Sequence, residues 1–584
     1  MKISCGKVRL LASHAVAIAG AVALSAPPPV IFTDVTARSG LGSIRSVSGT
    51  ESKDYILETL GTGVAAFDYD NDGWLDLYLA NGSRLEGFAA GAEPLPSLFR
   101  NKGDGTFEDR TRDAGLAAPF WGFGAAVGDY DNDGFIDLYV TAYGPNRLYH
   151  NRGDGTFEEV SRAAGVDDPR WGASAAFSDF DGDGLLDLYV ANYVAFDTRT
   201  VPKRGDPNSP CLYRGALVMC GPAGLKGEVD VLYHNNGDGT FSDVTAAAGI
   251  RTDIGLYGLG VATADYDADG DMDIFIANDA TPNELYRNKG DGTFEEVGAV
   301  GGVAYGTDGV EQGSMGTSFG DFDDDGRLDL AVTNFSHQFY QVFHNTGDGA
   351  FEDVSFATGV AQITYLPLGW ATEFLDYDND GRLDLFFANG HVYPGADRMQ
   401  IGISYLMTNQ LLHNEPASGA TPGAGGRAFV DVSAGAGPGF TVPRSHRAGG
   451  PFDFDRDGDL DLVLTVIDGA PLLLRNEIGS SNTWAAFRLA GTGSNRSAIG
   501  TRLTITAGGR RLTRFFGGGG SFLWGCDRLQ PIGLGTANVI EALEVLWPSG
   551  RRQRFENLGV RREYLLLEGS APKSVEPPAA GAAP

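Results

Sequence analysis

One short pattern recurs often enough to dictate the architecture. Asp68-Tyr69-Asp70-Asn71-Asp72-Gly73-Trp74-Leu75-Asp76-Leu77 reads D-x-D-x-D-G-x-x-D-L, and the pattern begins again at Asp129, Asp179, Asp265, Asp321, Asp376 and Asp453. Every copy keeps Asp at positions 1, 3, 5 and 9, Gly at 6, an aromatic residue at 2 and an aliphatic residue or Met at 8. Seven copies with four Asp each take up 28 of the 76 acidic residues. Carboxylates so crowded repel one another unless a cation sits among them. Alternating Asp around a sharp Gly turn is a compact way to gather the roughly six to eight oxygens that Ca2+ takes. An Asp/Gly turn without metal is the plainer alternative, and it leaves the crowding of charge unexplained.

The expected ligands are the side chains at positions 1, 3, 5 and 9 and the backbone carbonyl at position 7. They are Asp68, Asp70, Asp72, Trp74 and Asp76 in the first loop, Asp129, Asp131, Asp133, Phe135 and Asp137 in the second, and Asp179, Asp181, Asp183, Leu185 and Asp187 in the third. The fourth and fifth supply Asp265, Asp267, Asp269, Asp271, Asp273 and Asp321, Asp323, Asp325, Arg327, Asp329. The sixth and seventh supply Asp376, Asp378, Asp380, Arg382, Asp384 and Asp453, Asp455, Asp457, Asp459, Asp461. Up to seven Ca2+ are therefore expected. An EF-hand is excluded, because it needs Glu at position 12 and flanking helices. Position 12 here is Leu79, Val140, Val190, Ile276, Val332, Phe387 or Leu464, and the flanks read as strands.

The repeat extends beyond the loop. A hairpin turn Asn-x-Gly-Asp-Gly follows at Asn101, Asn151, Asn235, Asn288 and Asn345, where Gly supplies the positive φ of a tight turn. These turns, and His150, His234, His344 and His413 beside them, read as structural. The sixth unit replaces its turn with a Gly/Ala/Pro-rich stretch from Glu415 to Arg427. One unit is thus strand, Asp loop, strand, connector, strand, turn, strand. Seven such units predict an all-β chain built as a seven-bladed β-propeller over residues 30–478, with an insertion at 194–231. The fourth-strand signature also occurs seven times, at Phe32, Phe107, Phe157, Phe241, Phe294, Phe351 and Phe429. Its first copy precedes every loop, so the N-terminal strand is expected to complete the last blade.

The chain has 584 residues, 84 of them Gly, a formal charge of −32 and 42% hydrophobic residues, which disfavours both whole-chain disorder and a nucleic-acid partner. Lys2, Lys7 and Arg9, the apolar run Leu10–Leu24 and Ser25-Ala26 form a secretory signal layout over residues 1–26. That run is short and Ala-rich for a membrane anchor, and no later run reaches spanning length. The expected location is therefore secreted, extracellular or periplasmic, where weak calcium modules meet millimolar ion. Cys5 falls in the leader. Cys211 and Cys220 could pair within the insertion, leaving Cys526.

In a four-stranded blade the Asp loops share one face, and the connectors open on the other. Trp121, Trp171, Asn192, Asn278, Asp279, His337, Trp370 and His391 make up the candidate ligand face there, suited to a protein or glycan partner; the competing expectation is that the Trp rings pack between blades. Arg204-Gly205-Asp206 reads as a by-product of composition. No nucleophile elbow, HExxH or dinucleotide loop is present. His391, His337 and His446 with Asp279 or Asp468 are the loose acid/base candidates for the alternative, a carbohydrate-active hydrolase or lyase. A structural surface or matrix component is a further alternative.

From about residue 480 the repeat stops. Residues 480–569 carry 12 Arg against 6 acidic residues, and strands are expected at Trp484–Leu489, Thr501–Thr506, Arg511–Phe516, Ala542–Trp547 and Glu563–Leu567. A compact β module suited to docking on the acidic repeats or on an anionic partner follows, with a disordered Pro/Ala-rich tail over 570–584.

With Gly-Asp-Tyr/Phe ahead of them, the Asp loops resemble FG-GAP (VCBS-type) repeats, as in the integrin α-subunit propeller. Ser494-Asn495-Arg496-Ser497-Ala498-Ile499-Gly500, Gly517–Phe522, Ile532-Gly533-Leu534-Gly535 and Leu546-Trp547-Pro548-Ser549-Gly550 resemble the ASPIC/UnbV domain. Together they cover roughly 30–568 and are similar in architecture to cartilage acidic protein-like secreted proteins. The resemblance implies calcium binding and extracellular interaction. The EGF-like module of some relatives is missing. Leu523-Trp524-Gly525-Cys526 and Pro531 also depart from the domain's usual Ser-Gln and His-Phe.

Overall fold

The computed structural model describes residues 32–417, 425–478, 482–527 and 531–576. The leader expected over 1–26, part of the Glu415–Arg427 stretch and the end of the tail lie outside the described residues.

The chain is all-β. Each Asp loop joins the first two strands of an antiparallel four-strand set. The second repeat is representative: Gly122–Gly128, Asp137–Ala142, Arg147–Asn151 and Phe157–Glu159 pair in sequence order. The same order recurs from Val64–Phe67, Gly172–Ser178, Gly258–Ala264, Thr317–Gly320 and Gly369–Leu375. The set of the seventh loop takes its outer strand from the other end of the chain, with Phe32 opposite Asn476 and Asp34 opposite Leu474. The expectation for the N-terminal strand is met at this register.

The innermost strands touch in chain order, and His446–Phe452 touches Val64–Phe67 to complete the circuit. They come close because their residues are small. At Gly316 a Cβ would lie 2.0 Å from the Trp370 carbonyl oxygen of the next set, so no side chain fits there.

Two contacts tie each set to its neighbour. The position-2 aromatic of one loop packs on the fourth-strand Phe of the next repeat, as in Tyr69 with Phe157 at 6.1 Å and Tyr266 with Phe351 at 5.5 Å. The Asn ending each third strand donates through Nδ2 to the position-2 carbonyl of the preceding loop. Asn151 reaches Tyr69, Asn235 Tyr130, Asn288 Phe180 and Asn345 Tyr266, all at 2.7–2.8 Å. Asn414 reaches Phe322, Asn476 reaches Tyr377 and Asn101 reaches back to Phe454, each at 2.8 Å.

After Asn476 the chain forms a sandwich of two four-strand sheets around Phe487, Leu503, Ile505, Leu543, Val545 and Trp547. All five expected strands are present. Pro531–Gly535, the Arg-rich edge strand Arg552–Gly559 and Lys573–Val575 are additions to the expectation. Lys573–Val575 corrects the disordered tail over its first residues, because Glu563, Tyr564 and Leu565 offer that strand an edge to pair with. The Asn495 side chain exchanges hydrogen bonds with Ile499, and Glu568 accepts from the N–H groups of Thr492, Gly493 and Ser494, which accounts for the sequence of that turn.

The segment Gly517–Cys526 leaves this sandwich and runs between the innermost strands. Thr263 donates to the Gly518 carbonyl at 2.7 Å, Thr372 to Ser521 Oγ at 3.1 Å, and Trp524–Cys526 pairs in parallel with Val64–Ala66. On the connector side the 194–231 insertion lies against other repeats. Tyr213 packs on Phe335 and Tyr393, Arg204 pairs with Asp54, and the insertion holds the Cys211–Cys220 disulfide.

Asn345→Ala removes both Nδ2 bonds, to Tyr266 and to Leu328, from a buried site. With two acceptors orphaned at roughly 1–3 kcal/mol each, chemical denaturation should show a loss on the order of 2–5 kcal/mol, whereas Asn236→Ala on the exposed turn should cost under about 0.5 kcal/mol.

Candidate metal centres

Each Asp loop spends one oxygen of most carboxylates on its own folding. The position-1 Oδ2 accepts from the position-6 N–H, at 2.9 Å in Asp68–Gly73 and 2.8 Å in Asp376–Gly381. That geometry needs φ of +92° at Gly73 and +87° at Gly381, values an L side chain resists. In five loops the position-3 Oδ1 accepts from position 5, and the position-5 Oδ1 accepts from position 7: Asp133 takes the Phe135 N–H, Asp183 that of Leu185 and Asp72 that of Trp74, at 2.8–2.9 Å. Position 9 accepts on both oxygens. Asp76 takes the Tyr69 N–H at 3.2 Å and the Asn101 N–H at 2.7 Å, so the clamp asparagine also sets this carboxylate.

The carboxylates of a loop converge. The donor atoms of Asp68, Asp70 and Asp76 all lie within 4.8 Å of one another, the span across a cation with bonds of roughly 2.4 Å. Asp68, Asp265, Asp376 and Asp453 each bury an Oδ1 that receives no hydrogen bond, as do Asp267 and Asp455 at position 3. Buried carboxylate oxygens without donors are costly, and a bound cation removes that cost. The donor set fits a hard dication.

Histidine enters four of these centres. His150 Nδ1 lies 3.3 Å from Asp131 and 3.4 Å from Asp137, and His234 Nδ1 lies 3.1 Å from Asp181 and 3.2 Å from Asp187. His344 and His413 face Asp329 and Asp384 at 3.2 and 3.1 Å. Besides flanking the turns, these four histidines face loop carboxylates from near the end of the third strand. Asn414 and Asn476 were also missed as members of the clamp series. Their third-strand endings, Leu412-His413-Asn414 and Leu474-Arg475-Asn476, carry the signal without the Gly-Asp-Gly turn.

Burial pushes Asp68, Asp129 and Asp321 up to about 7 and Asp179 and Asp265 up to about 6, and the other carboxylates of each loop add to the rise. The C-terminal sandwich sits on these same loops. Arg510 pairs with Asp324 at 2.7 Å, Arg514 donates to the Gly381 carbonyl at 3.0 Å, Arg502 to Gly326, and Arg488 approaches Asp68 at 3.7 Å.

The connector-side Trp residues follow the competing expectation of packing and do not form a ligand face. Trp121, Trp171 and Trp370 are 7%, 2% and 2% exposed. The Trp370 N–H donates to the Gly390 carbonyl at 2.7 Å, and its ring carries the Arg447 guanidinium. These rings are core, because the innermost strands are too slight to fill the space at their ends. Asn192 and Asn278 are buried and bond Val229 and Pro282, and His391 and His446 are buried as well. Asp279 and His337 remain half-exposed, with Asp279 accepting from Tyr193 at 2.6 Å and His337 against the Ile401 carbonyl at 3.0 Å.

A raised carboxylate favours the protonated form, so its contribution to folding is present below the ordinary carboxylate range and is lost as pH rises through the elevated value. Metal-free protein should therefore lose thermal stability between about pH 4 and 7. Millimolar Ca2+ should remove that decline, since the ion binds the deprotonated loops. Scanning calorimetry across this range checks both halves.

Comparison with known proteins gives matches in both parts of the chain. A model described as FG-GAP-like repeat matches residues 68–140, 129–190, 223–276, 265–332 and 321–387, and one described as ASPIC and UnbV matches 491–573. Cartilage acidic protein 1 of Xenopus tropicalis is 29% identical over 320 residues, covering 53% of this chain and 44% of that protein. The Homo sapiens protein is 28% identical over 321 residues, covering 53% and 43%. The matched region thus spans less than half the length of these relatives. Among solved structures, a protein of Agrocybe aegerita studied for recognition of non-reducing terminal N-acetylglucosamine aligns at 15% identity and TM-score 0.34, covering 64% of this chain and 80% of that one. The extracellular domain of a hybrid two-component system from B. thetaiotaomicron aligns at 12% identity and TM-score 0.38, covering 83% of this chain and 47% of that one.

Proposed function

This chain is an FG-GAP-like repeat protein with a C-terminal ASPIC and UnbV domain, related to the cartilage acidic proteins, and on that premise we propose that it is a secreted, calcium-stabilised propeller of seven blades that binds a protein or glycan ligand outside the cell. The observation that carries the calcium reading is the set of buried loop oxygens without donors. The circuit of innermost strands and the seven clamp asparagines support the propeller.

In this reading positions 1, 3, 5 and 9 of each loop hold the ion, with the position-7 carbonyl completing its oxygen shell. Calcium supplies charge neutralisation at the point where one blade is clamped to the next. Its role is to hold a rigid frame, and the loops take no part in chemistry. The ligand meets the connector side, because the Arg-rich domain lies against the loop side. Leu212 and Leu217 on the disulfide-bonded insertion, with Val310, Tyr365, Leu366 and Leu406 on nearby connectors, are exposed there. These side chains take the place of the buried Trp residues as the contact set. We propose binding rather than catalysis: His391 and His446, two of the three candidate histidines, are sealed from solvent.

Thermal unfolding in millimolar Ca2+ and in excess chelator tests the frame. Each saturated site adds roughly 2.7 kcal/mol at a hundred times its Kd, so several sites should raise the midpoint by on the order of 10 °C. An unchanged midpoint together with no protein-bound calcium by mass spectrometry would falsify this reading.

A further inference from the structure

One register position of the repeat varies in a way the Asp pattern does not require. The residue before the clamp asparagine is Arg100, His150, His234, Arg287, His344, His413 and Arg475 in loops one to seven. It lies at the end of the third strand beside the loop carboxylates. Three loops receive a guanidinium, which has no lone pair to give a metal. Four receive an imidazole, which has one.

The imidazoles stand within the donor sets. Asp131, Asp133 and His150 place one ligand atom each within 4.8 Å of one another, as do Asp181, Asp187 and His234, Asp323, Asp325 and His344, and Asp378, Asp384 and His413. The sixth loop adds an independent observation: Asp376, 3% exposed, buries an Oδ1 that no donor reaches. His413 is itself 8% exposed, its ring held 5.7 Å from that of Tyr377. The arginines behave otherwise. Arg100 pairs with Asp70 at 2.6 Å, and Arg287 and Arg475 turn toward Glu295 and Glu477.

We propose that the sixth loop, and with it the second, third and fifth, is a mixed nitrogen–oxygen site that takes a borderline dication of the Zn2+ or Co2+ kind in preference to Ca2+. Imidazole nitrogen suits these metals, whereas Ca2+ takes oxygen alone. The Arg-bearing first, fourth and seventh loops remain all-oxygen sites. The inference rests on the loops being cation sites at all, and it divides them into two classes by a single residue each.

Co2+ is the probe. Full-length protein stripped of metal is loaded with Co2+ in the presence of excess Ca2+, then read by metal count and by proton NMR for paramagnetically shifted imidazole resonances. The expected result is up to four retained Co2+ per chain with shifted imidazole signals. His413→Ala should lose one Co2+ and one set of signals, and Arg287→Ala should lose neither. His150→Ala repeats the test at a more exposed ring, in case the sixth loop does not tolerate substitution. Co2+ fully displaced by Ca2+, or retained without shifted imidazole signals, overturns the inference while leaving the calcium frame intact; the second result makes the histidines positioning residues. Failure to bind either ion would sink both readings.

Discussion

A buried asparagine at the end of each third strand joins two loops that are distant in sequence, and the rest of the molecule depends on that bond. Its backbone N–H fixes the position-9 carboxylate of its own loop, and its Nδ2 holds the position-2 carbonyl of the preceding loop. The second contact exists only with the preceding repeat in place. A single antiparallel set of four short strands would expose both edges and have little core of its own. The clamp makes the sets interdependent, and the circuit returns from Asn101 to Phe454, so the first loop stabilises the last.

The same bond explains why so much acid can be tolerated. Four carboxylates per loop are held at fixed separation by backbone N–H donors, with the unused oxygens turned toward one another. Burial raises their affinity for protons, and the same burial raises their affinity for a cation. The seam between repeats and the geometry of the loops are therefore linked, because the asparagine that clamps the preceding loop also positions the position-9 carboxylate of its own. The C-terminal domain adds a second layer of compensation. Its arginines reach the loop carbonyls and Asp324, and its Gly-rich segment fills the space between the innermost strands. Gly518 would place a Cβ 1.7 Å from the Phe177 carbonyl, so only a Gly-rich segment passes there.

Much of this was legible beforehand. Spacing alone located all seven loops, the strand pairing around them and the N-terminal strand that completes the last set. It also separated the C-terminal domain by its reversal of charge. What it left open were side-chain directions. The Trp residues of the connectors look like ligand contacts in one dimension, but each sits where slender Gly- and Ala-rich strands leave room for a large ring. The four histidines directly precede the clamp asparagines in sequence, while their neighbours in space are Asp.

The sequence by itself determined the repeat, because Asp at four fixed positions with Gly at a fifth is a local requirement set by backbone geometry and charge within nine residues. Only the tertiary structure decided which face is covered and which aromatic rings are buried. Those outcomes depend on contacts between residues tens to hundreds of positions apart, such as Arg510 with Asp324 or Asn101 with Phe454. No local pattern encodes them, because they follow from how seven similar units close upon one another.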